Sequence, residues 1–586
     1  MGRIVNILCR REYPMPHYAV NYKLAFVAVL STVVLGNVGI SQALAQVPNS
    51  VNPGLIEQRL APVPKPTPSL KLKTPAPAES QEISAAQRAK LESSKFGLKK
   101  VVLEGATVYK SADLASTYND QIGKTISLLD ARGIANRITT FYRNKGYILS
   151  QAVVPPQDVT GGVLKIRVIE GFISNVTYQG DVDAEGVRER LDGYADSIKN
   201  LRPANMADLE RYMLLMNDLP GSTITGLIHP SASQFAGADL VLTVRRRTYE
   251  GSYTFDNRGT RFLGPFQHTV VLGANSVFNT YDHTQVRIMT VDPFRELLLG
   301  ELQHDEILNN EGTKLSFLAS ETQTRPGDTL KYLRIKGNSS LFEAKVSHPF
   351  LRSRQQSLVA RALFDVRNTG VDILSGDAYT RDRLRIARVG GTYSFIDLLQ
   401  GSDAIDVQLS QGMDIFDATN KGGNRSNPIG SSSFTKANFD MSRLQPLSDG
   451  FSILTAAIGQ FSFEPLLTDE QFSLGGADYG RAFDPAEALG DSGLGGKAEV
   501  RYDGFVGNSY FDSYQLFTYV DIGEAWTRGV ANGNSSVSST GLGARLRLTD
   551  NFSGAVEADF PLMWTAPDAS SYRTNPRLFF SVTARF

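Results

Sequence analysis

Cysteine is all but missing from this chain: the only one is Cys9. Beyond that position there can be no disulfide, no thiol nucleophile and no cysteine-based metal site. Histidine is also scarce. His17, His229, His268, His283, His304 and His348 are scattered, and no two form an H-x-x-x-H pair, which excludes the helical zinc-protease motif. No G-x-x-x-x-G-K-[ST] segment occurs, so no P-loop motor is encoded. Net charge is absent as well, with 60 Lys+Arg against 60 Asp+Glu, and no basic excess points to nucleic acid. Mean hydropathy is −0.18, too low for a protein built of membrane-spanning helices.

The one apolar run is 24–36. It follows Lys23, Arg3, Arg10 and Arg11 and precedes Ala43-Leu44-Ala45, a small-x-small site. The run is short for a bilayer span, so residues 1–45 read as a secretory signal peptide. An exported chain without further cysteine fits the envelope of a diderm bacterium.

What the chain does have is glycine (52), phenylalanine (31) and tyrosine (22). That suits strands, tight turns and aromatic girdles. At 586 residues two to four domains are expected. Residues 46–95 form a linker rich in proline (Pro48, Pro53, Pro62, Pro64, Pro66, Pro68, Pro75, Pro77), extended and polyproline-like. Within it, 54–60 reads either as two helical turns stopped by Pro62, a possible short plug, or as plain linker. A helical pattern covers 83–93.

Two stretches of similar order follow. In 96–170 a strand (101–103) precedes a helix (128–145, closed by Gly146) and two strands (147–154 and 163–169). In 171–247 a strand (173–178) precedes helices 184–194 and 206–218, then strands 222–227 and 239–244. Two units with one order make an internal repeat. From 248 helical periodicity ends and period-two segments recur. Tyr249, Gly251, Tyr253 and Phe255 alternate with Glu250, Ser252, Thr254 and Asp256; Leu542, Ala544, Leu546 and Leu548 alternate with Gly541, Gly543, Arg545 and Arg547. Charges on one face and apolar groups on the other separate two solvents. A soluble β-sandwich with charged outer faces is the competing reading. At roughly 20 residues per strand and connection, the remaining length permits about sixteen strands. The fold class expected is mostly β: a C-terminal transmembrane β-barrel preceded by two α+β domains.

Residues 472–503 are organised around one cation. Lys497, Glu499, Arg501 and Asp503 alternate with Ala498, Val500 and Tyr502, a strand. Before them a glycine-rich stretch, 472–496, reads as a loop folded into the barrel lumen, holding Arg481 between Gly480 and Ala482-Phe483. His304-Asp305-Glu306 is read as solvated charge in a turn, and Gly541-x-Gly543 as part of a strand.

Particular segments carry a resemblance. TTFYRNKGYILSQAVVPPQ with GGVLKIRVIEG is similar to the first POTRA domain of the two-partner secretion transporters, the haemolysin activation/secretion family; ADLERYMLLMNDLPG resembles their second. The last strand, ending in Phe586, resembles the sorting signal of outer-membrane barrels. The resemblance implies sixteen strands and a V-R-G-F/Y loop motif whose arginine meets an acid of an F-x-D-x-G strand. Here the matching residues are Gly480, Arg481, Ala482 and Phe483, with two departures, and Tyr519, Asp521 and Gly523. An Arg481–Asp521 pair is therefore expected, since a guanidinium grips a carboxylate bidentately; the alternative is two unrelated charges facing lumen water.

The implied function is an outer-membrane pore that recognises an unfolded exoprotein, a large β-helical adhesin or haemolysin, at POTRA sheet edges in the periplasm. Outer-membrane lipid and the barrel-assembly machinery are its other expected partners. The alternative is a barrel-assembly insertase; a diffusion porin leaves the repeats unexplained. No enzyme activity, catalytic residue, cofactor or metal is expected.

Overall fold

The computed structural model describes residues 47–58, 85–182, 185–278, 280–374, 376–419, 422–508, 510–530, 533–564 and 576–586. The expected signal peptide, Cys9, most of the Pro-rich linker and Ala184 lie outside them.

A short helix, α1 (Pro53–Gln58), stands alone at the start, and α2 (Ala85–Ser93) leads into the first α+β unit. That unit comprises β1 (Lys95–Gly97), β2 (Lys100–Glu104), α3 (Ser111–Leu114), β3 (Thr125–Ser127), α4 (Leu128–Asn144), β4 (Gln151–Val153) and β5 (Val163–Ile169). α4 starts at a reciprocal cap: Ser127 Oγ accepts from Asp130 N at 3.1 Å, and Asp130 Oδ2 accepts from Ser127 N at 2.8 Å. Its buried Ile134, Ile138 and Tyr142 recur every four residues and pack on Leu164, Ile166 and Val168 of β5. The strand expected over 147–154 shortens to β4, because Tyr147 and Ser150 take part in turns and Tyr147 packs edge-on against Tyr109.

The second unit repeats the plan with β6 (Phe172–Gly180), α5 (Glu185–Lys199), α6 (Met206–Asn217), β7 (Ser222–Pro230) and β8 (Gly237–Arg246). α5 runs further than 194 because Tyr194 and Ile198 continue its buried face. The two sheets have matching topology. β2-β5-β4 and β6-β8-β7 each join a parallel pair to an antiparallel one.

The units meet at Glu170-Gly171. The Glu170 carboxylate accepts from Thr107 N (2.9 Å), Val108 N (3.1 Å) and Tyr142 OH (2.8 Å), and from the Thr107 hydroxyl. Gly171 bonds both ways, donating to Ser150 Oγ (3.2 Å) and accepting from Ala204 N (2.9 Å). Burial pushes the Glu170 carboxyl up, but its hydrogen bonds outweigh this and hold it below the usual carboxylate range. A lowered folded pKa gives stability that is full above the unfolded value of about 4.3 and is lost as pH falls through the folded one. Glu170→Gln is expected to remove this acid-side dependence. Urea melts of the two-unit fragment between neutral and acid pH read it, and parallel pH profiles for both proteins would refute it.

The barrel strands are β9 (Tyr249–Asp256), β10 (Phe266–Asn275), β11 (His283–Asp292), β12 (Leu297–Ile307), β13 (Lys314–Thr324), β14 (Lys336–Arg352), β15 (Gln356–Ile373), β16 (Asp377–Ile396), β17 (Ser402–Gly412), β18 (Thr435–Pro446) and β19 (Phe451–Ser462). A hairpin inside the lumen loop, β20 (Phe472–Leu474) and β21 (Ala488–Gly490), interrupts them. β22 (Ser492–Asn508), β23 (Phe511–Trp526), β24 (Asn534–Arg547), β25 (Phe552–Trp564) and β26 (Arg577–Arg585) complete the wall. β9 pairs with β10 and with β26, so the sixteen wall strands close on themselves. Closure satisfies every backbone group without water. It also excludes the β-sandwich reading. Along β23 Leu516, Val520 and Ile522 are exposed on the outside, while Phe517, Tyr519 and Asp521 are buried inside. Among the described residues no helix is long and apolar enough to cross a membrane; this chain crosses with strands. His304-Asp305-Glu306 lies in β12 rather than a turn, since His283, Thr284 and Gln285 of β11 pair across from this end of the strand.

Strand ends facing the α+β units are joined by short turns such as 353–355 and 447–450, and the opposite ends by long loops such as 413–434 and 463–491. The second unit grips its rim. Arg211 meets Glu311 at 2.7 Å, Tyr212 OH donates to the same carboxylate at 2.9 Å, and Arg352 holds Asp218. Tyr281 from the turn before β11 and Ile307 at the end of β12 enter the second unit's core.

Candidate functional site

The loop 463–491 folds into the lumen and is packed against the wall rather than suspended in water. Phe472, Leu474, Tyr479, Ala482, Phe483 and Ala488 form one cluster with the wall residues Ala525 and Val537. Glycines on the wall make room for it. A side chain at Gly495 would meet Leu474 and Tyr479, and one at Gly523 would meet Leu474 at 2.6 Å. This corrects the expected loop extent of 472–496. Gly493, Gly495 and Gly496 already belong to β22, and the loop lies on the first two, through Phe472 on Gly493 and Leu474 and Tyr479 on Gly495. Gly523 of the expected motif serves the same fit.

At the tip Gly480 has φ +73°, a left-handed conformation that favours glycine, and a Cβ there would press on Val537. Ala482, one of the departures from the family motif, is buried and is not among the positive-φ residues. Its methyl group is accommodated.

Arg481 does not form the expected side-chain pair with Asp521. Its Nη2 bonds Glu499 Oε2 at 2.8 Å, with 5% and 0% of the side chains exposed. Asp521 instead accepts from the Arg481 backbone N–H at 3.4 Å, and from Ser539 N and Oγ at 3.2 and 2.6 Å. The reason is reach and register. Across the β22–β23 ladder Asp521 lies opposite Lys497, and Glu499 lies opposite Tyr519. The loop backbone sits level with Asp521, and the long side chain extends over the Tyr519 ring (4.0 Å to its centroid) to the next inward carboxylate. Glu499 also receives Arg501 (2.7 Å) and Arg545 (2.9 Å). One buried carboxylate thus serves three guanidiniums. The signal for it was the inward charged row of β22, in which Glu499 is the acid flanked by Lys497 and Arg501.

Sequence reasoning missed a second anchor, at the loop base. Glu470 meets Arg388 and Lys436, each at 2.8 Å, and Arg388 meets Asp365 at 2.6 Å. Glu470, Lys436 and Asp365 are buried, and Arg388 is 11% exposed. The neighbouring Asp469 touches α1: its backbone carbonyl accepts from Gln58, and its carboxylate accepts from Thr369.

α1 itself sits in the lumen against β13 and β14 and beside the loop, which decides between the two readings of its segment. Glu57 accepts from Thr322 (2.9 Å) and Ser339 (3.2 Å) and lies 3.3 Å from Arg367; Arg367 also donates to Gly54 O at 2.9 Å. Leu55 packs on Ala486 and Leu489 of the loop. Arg59 and Leu60 lie outside the described residues. Helix and loop are in contact inside the lumen. Glu57→Ala leaves Arg367 without its carboxylate and is expected to raise the frequency of large openings several-fold in planar bilayers, because the loss of a charged hydrogen-bond partner costs about 1–3 kcal/mol. An unchanged conductance record would show that the helix is held by other contacts.

A closed barrel with α+β domains at one rim, and with a loop and helix lodged in its lumen, defines an outer-membrane transport barrel. The comparisons narrow this. Residues 96–171 match the POTRA domain, ShlB-type, and residues 310–546 match the haemolysin secretion/activation protein family ShlB/FhaC/HecB. The chain is 23% identical over 464 residues to the heme/hemopexin transporter protein HuxB of Haemophilus influenzae (76% of this chain, 79% of that protein). It is 25% identical over 499 residues to the outer membrane transporter CdiB of Escherichia coli O6:K15:H31 (81% and 80%). The solved structure of CdiB from Escherichia coli superposes with a TM-score of 0.71 at 21% identity, covering 87% of this chain and 94% of that one. CdiB from Acinetobacter baumannii superposes with a TM-score of 0.60 at 19% identity, covering 84% and 91%. The chain is a two-partner secretion outer-membrane transporter, with its POTRA domains in the periplasm and a secreted exoprotein as its partner. The insertase reading is less favoured.

Proposed function

We propose that the POTRA pair captures an unfolded exoprotein, a large β-helical adhesin or haemolysin, and feeds it as an extended chain into the barrel. The observation that carries this reading is the free edge. Among the described residues β6 and β7 of the second unit each bond only to β8, and β2 and β4 of the first only to β5. A substrate strand can add to such an edge, with backbone hydrogen bonds giving affinity and alternate side chains giving choice. β7 is the most suited, at nine residues, with Leu227 exposed on it.

The Arg481–Glu499–Asp521 site then acts as the lock of a plug. α1 and the loop move aside for the substrate and return after it. Folding of the exoprotein outside supplies direction, without a nucleotide motor. The apolar outer face contacts outer-membrane lipid, and the cell's barrel-assembly machinery inserts the barrel. The protein is a conduit, and no residue is assigned a catalytic role.

The test is capture on the fragment 94–247, which contains both POTRA cores. Immobilised, it is expected to retain one or two very large secreted proteins from the source organism, held through their N-terminal regions. Retention of many barrel precursors would support the insertase instead, and retention of nothing would remove capture by these domains.

A further inference from the structure

The lumen wall is not uniformly charged. From β11 to β18 several inward charges come as matched neighbours: Arg287 with Glu301 (3.0 Å), Lys345 with Glu343 (2.8 Å), Arg361 with Asp406 (2.6 Å). On β22–β24 the match fails. Arg481, Arg501 and Arg545 share the carboxylate of Glu499, so Arg501 and Arg545 have no carboxylate to themselves; the other buried acid of the site, Asp521, is taken by Ser539 and the Arg481 backbone. Asp503 is the next inward acid on β22, and it takes a hydrogen bond from Gln515 rather than from an arginine. Arg547, one inward step beyond Arg545 towards the POTRA side, is mostly exposed, and its nearest acid, Asp512, stands 3.9 Å away.

The geometry of the two lower arginines suits a visitor. Arg501 uses Nε for Glu499, and its Nη1 and Nη2 have no hydrogen-bond partner among the described residues; the side chain remains 19% exposed. Arg545 is stacked on Phe517, 3.9 Å to the ring centroid, which fixes the plane of its guanidinium while 37% of the side chain stays exposed. The terminal nitrogens of Arg545 already bond Glu499 (2.9 and 3.3 Å) and Gln515, whereas those of Arg501 are free and present a fork for a carboxylate.

We infer that Arg501, Arg545 and Arg547 form a docking site on the POTRA-side half of the lumen wall for carboxylates of an acidic, extended polypeptide. The occupant is identified by charge complementarity: an acidic segment supplies carboxylates to arginines that otherwise share the one of Glu499. The site also reaches the lock. A carboxylate that recruits Arg501 and Arg545 competes with Glu499 for them and weakens the cluster that seats Arg481. An arriving acidic segment thereby loosens the loop it must pass. This rests on the lumen being the substrate's path, but its test does not depend on capture by the POTRA domains.

The experiment is fluorescence anisotropy of a labelled poly-glutamate peptide with the detergent-purified full-length protein, beside a poly-lysine peptide of equal length. Three proteins are compared: wild type, Arg501→Gln, and Arg287→Gln from the matched wall. Heat-modifiable gel mobility shows that each barrel is folded. Poly-glutamate is expected to bind the wild type in preference to poly-lysine, more weakly at high salt. Arg501→Gln should bind it roughly tenfold more weakly, the scale of one charge-assisted hydrogen bond, and Arg287→Gln should match the wild type. Equal binding of the two peptides overturns the proposal. So does an Arg501→Gln protein that binds like the wild type, or equal losses in both variants. Should exoprotein capture fail while poly-glutamate still binds through Arg501, the reading of capture by the POTRA domains falls and the carboxylate site stands.

Discussion

Replacing Glu499 by Gln is expected to stop secretion and to destabilise the assembled barrel, whereas Asp521→Asn leaves both close to wild type. The difference follows from what each carboxylate holds. Glu499 is fully buried and neutralises three arginines. Its amide replacement keeps the shape but leaves Arg481 and its neighbours without a counter-charge. Breaking a buried ion pair from one side costs about 3–5 kcal/mol, and here three guanidiniums lose the same partner. Asp521 receives hydrogen bonds from Ser539 and from the Arg481 backbone. An asparagine oxygen still accepts both bonds from Ser539, made to Oδ1, and only the 3.4 Å bond from the Arg481 N–H, made to Oδ2, is lost, so the loss is about 1 kcal/mol. Arg481→Ala falls between the two. Glu499 retains Arg501 and Arg545, so the barrel assembles, but the loop tip loses its lock and secretion drops. Exoprotein in the medium, together with heat-modifiable mobility of the barrel, separates the three. Equal phenotypes for Glu499→Gln and Asp521→Asn would return the primary role to Asp521.

The second large effect belongs to Glu470. Glu470→Ala removes the counter-charge of Lys436 and one of the two carboxylates of Arg388. Arg388 keeps Asp365, and Lys436 keeps Gln460 Oε1 at 3.1 Å and the Glu470 carbonyl at 2.8 Å. The uncompensated lysine is the larger cost, about 3 kcal/mol. The expected result is a loop open to protease in intact cells and a leak to large antibiotics, because the base that carries Asp469, and through it α1, is no longer fixed. Adding Lys436→Met should recover a substantial part of the loss, since a buried pair replaced by apolar groups is often tolerated. A double variant as damaged as Glu470→Ala alone would show that the carboxylate matters for something other than Lys436.

Much of this architecture was legible in advance. The repeated order of strand, helix and strands marked the α+β units, because each core is built from contacts within about 75 residues. The period-two run to Phe586 marked the barrel, because a wall between lipid and water imposes alternation on every strand. Alternation also placed Tyr519 and Asp521 inward. What could not be read was which inward acid the loop arginine takes. Glu499 and Asp521 are both inward on adjacent strands, and the choice depends on where the loop backbone rests and how far a guanidinium extends past Tyr519. Glu470 gave no signal at all, since Arg388 and Lys436 are 82 and 34 residues from it.

The sequence by itself determined the solvents each strand face meets and the presence of an arginine-bearing lumen loop, because those are set by local period and composition; its length permitted about sixteen wall strands, and closure of the sheet settled the number. Only the tertiary structure decided the partners inside the lumen. Register across sixteen strands brings distant charges within 3 Å of one another, and charge pairing depends on that distance, which no local pattern records.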